Sequence, residues 1–293
     1  MKNRYSKSSE DENVSRWQGK AFYAICVAAT LFGIFALATL LIYVFWDSIG
    51  WVDWQFITSS PSRFPEKAGI YPAMMGSVFV ISLVAVFSLP LGVGAAIYLE
   101  EYARENFLTK LIEINISNLA GVPSIVYGIL GLGLFITLMD LEDGTVLVGG
   151  LTLTLLILPI VIISSKEAIK SVPKSHRMAA FGVGATKWQV VKKVVLPEAI
   201  PGIMTGTILA LARALGETAP LIMIGAATTI FGPPRGIMSL FSAMPIQIFA
   251  WSDLPQYDFQ HGVTPAGVVV LLTILLTMNL IAVIIRHKTQ KKK

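Results

Sequence analysis

Six stretches of about twenty or more residues dominate this chain, and five of them contain no Asp, Glu, Lys or Arg at all. They run near 21–46, 71–99, 114–139, 146–165, 202–230 and 263–285. A helix advances about 1.5 Å per residue, so roughly 20 apolar residues cross the hydrocarbon core of a bilayer. Helices are forced there, because a backbone amide left unpaired in lipid costs several kcal/mol. The short alternating segments of a membrane β-barrel are absent. Composition agrees: 54% of residues are hydrophobic and 14% charged, whereas a soluble domain carries about a quarter charged residues. The expected fold class is all-α, a polytopic membrane protein with six transmembrane helices.

The placement of the basic residues gives a direction. Segments 1–20, 100–113, 166–201 and 286–293 hold 19 Lys and Arg, and the intervening segments 47–70, 140–145 and 231–262 hold 3. Basic residues stay on the cytoplasmic side, so both termini are expected in the cytoplasm and the number of spans even. No small-residue cleavage site closes the first stretch before Trp46 and Asp47, which reads as a retained anchor rather than a removed leader. The tails 1–20 and 286–293 read as solvated basic ends. The single cysteine, Cys26, excludes an intrachain disulfide and reads as a packing residue.

Helix breakers interrupt the stretches: Pro90, Pro123 and Pro159, with Gly128, Gly131 and Gly133 close together. Two readings stand side by side, close helix packing or kinks that shape a pathway.

Arg213 and Glu217 are the charged residues of the fifth stretch, four apart and expected on one helix face near its middle. An ionised residue at that depth costs about 2.5 to 3.5 kcal/mol, so two of them need a reason. One reason is an internal ion pair that holds helices together. The other is a polar pathway in which the planar guanidinium offers paired hydrogen bonds to a tetrahedral oxyanion, with Glu217 competing for the cation. Thr218 follows directly and joins the candidate pathway.

A second informative stretch is Met178–Gly202. Gly182 and Gly184 are expected to end one short helix, and Thr186 to cap the next. In that helix Trp188, Val191, Val194 and Val195 share a face, with Lys187, Lys192 and Lys193 around it, and Pro197 is expected to stop it. It lies either on the inner leaflet or against a cytosolic partner.

This stretch resembles the coupling motif of ABC importer permeases, which reads Glu-Ala-Ala, three residues, Gly, nine residues, Ile-x-Leu-Pro. Ala179, Ala180, Gly184, Val194, Leu196 and Pro197 stand at matching positions, while Met178 replaces the usual Glu. Ala68–Pro72, Pro90–Tyr102, Asn118–Gly128 and Ala210–Pro220 extend the resemblance to the phosphate transport system permeases of the PstA family, within the binding-protein-dependent inner membrane permeases. That resemblance implies a type I, MetI-like permease fold over 21–285, with a coupling loop at 166–201. It implies that Ala179, Ala180, Gly184, Lys187, Trp188, Leu196 and Pro197 meet an ATPase, and that Arg213, Glu217 and Thr218 matter for phosphate passage. It implies a bacterial inner-membrane location and three partners: a second, PstC-like permease subunit, a PstB-like ATP-binding cassette ATPase dimer, and a PstS-like extracytoplasmic phosphate-binding protein. No cofactor is expected in this chain, ATP and Mg being bound by the partner ATPase.

Absences point the same way. No G-x-x-x-x-G-K-[ST] cradle occurs, so this chain is expected to be a transport subunit without an ATPase site of its own. His176, His261 and His287 are scattered over loops and tails and read as solvated. The apolar segment 231–262 reads either as packing on the spans or as a docking surface, and the acidic turn Asp140–Asp143 either joins that surface or is solvated. Rival readings are a sulfate or molybdate permease, a stand-alone secondary transporter with Glu217 as proton carrier, and a membrane scaffold.

Overall fold

The computed structural model describes residues 5–104 and 106–291, with the side chains of 5–17, 282 and 285–291 outside that description. Its helices are α1 (Tyr5–Ser48), α2 (Trp54–Thr58), α3 (Tyr71–Ile97), α4 (Phe107–Ala120), α5 (Ser124–Gly131), α6 (Val146–Lys170), α7 (Lys174–Gly182), α8 (Lys187–Val190), α9 (Leu196–Leu215), α10 (Ala219–Met223), α11 (Met244–Ser252) and α12 (Thr264–Lys291). Wider π-turns extend α3 over Tyr98–Tyr102 and α5 over Leu132–Leu138, join α8 to α9 over Val191–Val195, and lead into α12 over Phe259–Val263. Extended pairing among the described residues is limited to an isolated bridge between Thr145 and Leu240.

Among the described residues, five helical segments are long and apolar enough to cross a membrane: Gln18–Ser48, Tyr71–Tyr102, Val146–Lys170, Lys187–Leu215 and Phe259–Ile281. The sixth is a bent pair, Phe107–Ala120 with Ser124–Leu138, whose arms meet at 105°. The stretch expected as one helix over 114–139 is therefore broken at Gly121–Pro123. Pro123 has no amide proton and keeps its predecessor out of the helical region, so the first arm ends before it. The Tyr127 hydroxyl donates to the Leu119 carbonyl at 2.8 Å and ties the two arms across the bend.

The fifth span also departs from expectation. Pro197 does not stop the helix: the π-turn before it absorbs the donor that proline lacks, with the Leu196 amide bonded to the Val191 carbonyl, and the helix runs on to Leu215. Nor does the helix reach Ile230. Pro220 would press its ring on the Gly216 carbonyl, and α9 ends with the Gly216 amide donating to Arg213 at 3.1 Å.

The core forms three clusters. The middle one joins α3, α5, α6, α9 and α10 through Val84, Tyr127, Ile157, Ala214 and Leu221. One end is held by Phe56, Met244, Trp251, Phe259 and Val263, the other by Ala96, Ile169, Val190, Val195 and Ala199. Helix α6 is the central post, packed on α3 and α9. Lipid tails are as apolar as leucine, so close fit rather than water exclusion holds such helices together. Small residues allow it: a methyl on Gly92 would come within 2.6 Å of Val161, and one on Gly150 within 2.5 Å of Leu83.

The segment 231–262 packs among the spans. Phe241, Met244 and Ile246 are fully buried, and the carbonyls of Ile237 and Ser239 accept from the Leu147 and Val146 amides at 2.8 and 3.0 Å. Those are first-turn amides of α6, which have no partner within their own helix. Just after the acidic turn, the Gly144 carbonyl accepts from the Phe241 amide of this segment at 3.2 Å. Cys26, by contrast, is exposed rather than packed, on a helix α1 whose main contacts among the described residues are with α12 and the π-turn before it. The charged side chains of the two expected tails lie outside the described residues, apart from Lys20; the backbone of α1 is already helical from Tyr5.

Candidate functional site

Arg213 stands in the last turn of α9, and Glu217 lies just past its end, so the two do not share a continuous helix face as expected. They meet nonetheless, Arg213 Nε donating to Glu217 Oε1 at 3.4 Å. Their burial differs: the arginine side chain is 46% exposed and the glutamate 17%. Arg213 shares its exposed face with Leu209, one turn earlier, and the surface nearby on α5 is also apolar, with Ile125 and Ile129 uncovered. A cation in an uncovered apolar surface is either lipid-facing, which is costly, or part of a water-filled passage. Thr218 precedes α10 without capping it, and its carbonyl accepts from the Leu221 and Ile222 amides at 3.1 Å each.

Sequence reasoning missed that both broken spans break at the same place. The short helix α10, after the break at Gly216–Thr218, packs on α5, after the break at Gly121–Pro123. The approach is close enough that a methyl on Gly128 would come within 2.8 Å of both Pro220 and Met223. Irregular backbone at membrane depth persists only where protein or a cavity covers it. Pro123, just before a short apolar helix, and Pro220, in the first turn of another, were the available signal.

At the other end of the same long helix lies the expected coupling stretch. Helix α7 ends at Gly182, and Gly184 adopts φ +83°, a left-handed turn that favours glycine. Thr186 caps α8 as expected, in a reciprocal box in which Gln189 returns a bond to the Thr186 amide at 2.8 Å. Val190, Val191 and Val195 are buried, whereas Trp188 is 59% exposed and so leaves the face expected for it. It sits in the first turn of α8, before the buried valines. Met178, Phe181 and Val183 are exposed beside it. Ala179, Gly184 and Lys187 are exposed too, while Ala180 and Leu196 pack on the buried cluster and Pro197 is half-buried. The Lys187 ammonium lies 5.0 Å over the Tyr102 ring.

This stretch is fastened to three spans. Arg177 pairs with Glu101 at the end of α3 at 3.0 Å, and its guanidinium also donates to the Val172 and Ile169 carbonyls beyond and at the end of α6. His176 meets Glu198 of α9 at 2.8 Å. His261 faces Asp47 at 3.3 Å and stacks on Tyr257. These two histidines are thus partnered rather than merely solvated, and the side chain of His287 lies outside the described residues.

A sequence model of the family described as "Binding-protein-dependent transport system inner membrane component" matches residues 88–291. The chain is 30% identical to the phosphate transport system permease protein PstA of Yersinia pestis, over 93% of this chain and 91% of that protein. It is 31% identical to PstA 1 of Mycobacterium tuberculosis, over 83% and 78% of the two chains. A probable ABC transporter permease of Bacillus subtilis, YqgI, is 35% identical over 70% and 68%. Among solved structures, a bacterial alginate ABC transporter in complex with its alginate-bound periplasmic protein superposes with a TM-score of 0.64 at 14% identity, covering 92% of this chain and 94% of that one. The MetNI methionine transporter in an inward-facing form gives 0.58 at 19% identity, covering 75% and 94%.

Proposed function

The chain belongs to the family of binding-protein-dependent transport system inner membrane components, and from that membership we propose that it is a permease subunit of an ATP-driven importer of inorganic phosphate. The observation that carries the reading is the long helix Lys187–Leu215, which presents an exposed apolar surface at one end and a membrane-embedded arginine at the other. The kinship to phosphate permeases over nearly the whole chain supplies the substrate.

The permease domain spans 21–285, with both termini in the cytoplasm, as 19 basic residues on one side against 3 on the other favour. A second, PstC-like permease covers the apolar face around Leu209 and Arg213. ATP and Mg are held by a separate PstB-like ATPase dimer, which docks on Ala179, Gly184, Lys187 and Trp188. Phosphate arrives from a PstS-like binding protein outside the cell. Closure of the dimer displaces the α7–α8 elbow, and Leu196 and Pro197 lie on the helix that carries the displacement inward. At its far end Arg213 exchanges partners, binding the oxyanion in one state and Glu217 in the other. Such an exchange makes the two states differ in affinity, which is what coupling requires. It also keeps the guanidinium paired after the anion leaves, avoiding a lone charge at about 2.5 to 3.5 kcal/mol.

Co-reconstitution with the partner subunits in sealed vesicles tests the reading. ATP-dependent uptake of labelled phosphate, outcompeting sulfate, is the expected result. Uptake by the chain alone in a pH gradient without nucleotide would replace it with a secondary transporter, and preference for sulfate would replace the substrate.

A further inference from the structure

We propose that a second anion site, separate from Arg213, lies where α3, α4 and α6 end on the basic side of the membrane, and that it holds an anionic phosphate group. A cleft of about 590 Å³ opens there, lined by Arg104, Lys110, Lys166 and Lys170 against the carboxylates Glu100 and Glu113. Lys166 binds Glu113 at 2.6 Å, which leaves Arg104, Lys110 and Lys170 against the single carboxylate Glu100 among the described lining residues. Asn106, Phe107 and Thr109 line it as well, so the cleft takes in the N-terminus of the 14-residue helix α4.

That N-terminus adds fixed donors. Asn106 accepts from the Thr109 amide at 2.9 Å, while the Phe107 and Leu108 amides stand in the first turn, where no carbonyl of their own helix can reach them. Positive dipole end, first-turn amides and lysines together suit a phosphate oxyanion. The rim is unlike that of a solvent pocket. Phe107 is 78% exposed, Leu108 65% and Leu111 44%, so an apolar strip descends from the cationic cleft along α4. A polar anionic head above an apolar strip matches a phospholipid of the inner leaflet. Free inorganic phosphate shares the same chemistry without using the strip. Siting the cleft on the cytoplasmic face rests on the charge asymmetry of the loops, but binding to it needs neither transport nor ATP.

The test uses the assembled transporter in detergent. Native mass spectrometry with added phosphatidylglycerol or phosphatidylcholine reads the lipid arm. Equilibrium binding of labelled phosphate to an Arg213→Gln assembly, without added lipid, reads the free-anion arm. Preferential retention of phosphatidylglycerol is expected, weakened roughly thirtyfold by Lys110→Gln with Lys170→Gln, since each lysine at an anionic surface contributes about fivefold. Glu113→Gln, which releases Lys166 from its ion pair, is expected to strengthen retention severalfold, an effect no misfolded variant produces. Phosphate binding that survives Arg213→Gln and is lost with the two lysines would support the site with free anion as its ligand. Equal retention of the two lipids with no such phosphate binding, or binding indifferent to all three substitutions, would overturn it.

Discussion

Trp188 and Arg213 stand at opposite ends of one helix that runs unbroken from Lys187 to Leu215. At about 1.5 Å per residue they are some 38 Å apart. A force applied beside the indole therefore reaches the guanidinium through a single rod, without crossing a loop. Two irregularities lie along the way, the π-turn at Val191–Val195, which lets the rod pass Pro197, and Pro201, which removes one helical hydrogen bond without ending the helix.

Trp188 is exposed and touches little of its own chain, so Trp188→Ala is expected to leave the fold intact while weakening association with the ATPase. A buried aromatic anchor at an interface is worth about 2 kcal/mol or more, which is roughly thirtyfold in Kd. Co-purification of the ATPase with the variant in a titration reads this directly, and unchanged affinity would remove Trp188 from the interface.

Gly184→Ala separates strain from crowding. Nothing lies within 4 Å of an added methyl, yet φ is +83°, and a left-handed alanine costs about 1 kcal/mol. The elbow between α7 and α8 should loosen, with faster hydrogen exchange over 179–186 and weaker coupling of ATP hydrolysis to uptake. Unaltered exchange would mean that the turn tolerates a side chain.

The Arg177 guanidinium serves Glu101 and two carbonyls at once, with both side chains largely buried. Arg177→Ala strands all three acceptors, and breaking a buried pair costs about 3 kcal/mol. Its loss is expected to detach α7 from α3 and α6, read as a lower midpoint of thermal unfolding and increased exchange at 174–182. Glu101→Gln, which keeps one hydrogen bond, is expected to cost less than Arg177→Ala.

A leucine at Gly128 would collide with Pro220 and Met223, forcing α5 away from α10. Overpacking of this kind costs about 1 to 3 kcal/mol. If the two breaks form one functional seam, Gly128→Leu should reduce uptake more than it reduces assembly, as judged by comparing transport with the yield of intact complex.

Much of this architecture was legible in the sequence, because lipid leaves a chain few options. The charge-free stretches located the helices, and Thr186 announced a cap that the structure forms, with Gln189 completing it. What escaped was set by tertiary context. Pro197 reads as a stop, since a local rule does not see a neighbouring π-turn supply the missing geometry. The break at Gly121–Pro123 lies inside an unbroken apolar run, where hydropathy is blind to a 105° bend, and the one at Gly216–Thr218 lies in an otherwise apolar stretch whose hydropathy does not mark a helix end. Arg213 and Glu217 were picked out by charge alone, but their pairing arises across a helix end rather than along a helix face. Trp188 has the spacing of a buried residue and is exposed, because periodicity does not record where the packed part of the molecule ends.

The central claim is that the Arg213 guanidinium lines the route of the anion while the far end of its helix receives the stroke. ATP-driven uptake of labelled phosphate by Arg213→Gln transporters, matched to wild type for assembly and ATPase activity, tests it most directly. Uptake is expected to fall to background while the complex remains whole and still hydrolyses ATP. Uptake at the wild-type rate would contradict it.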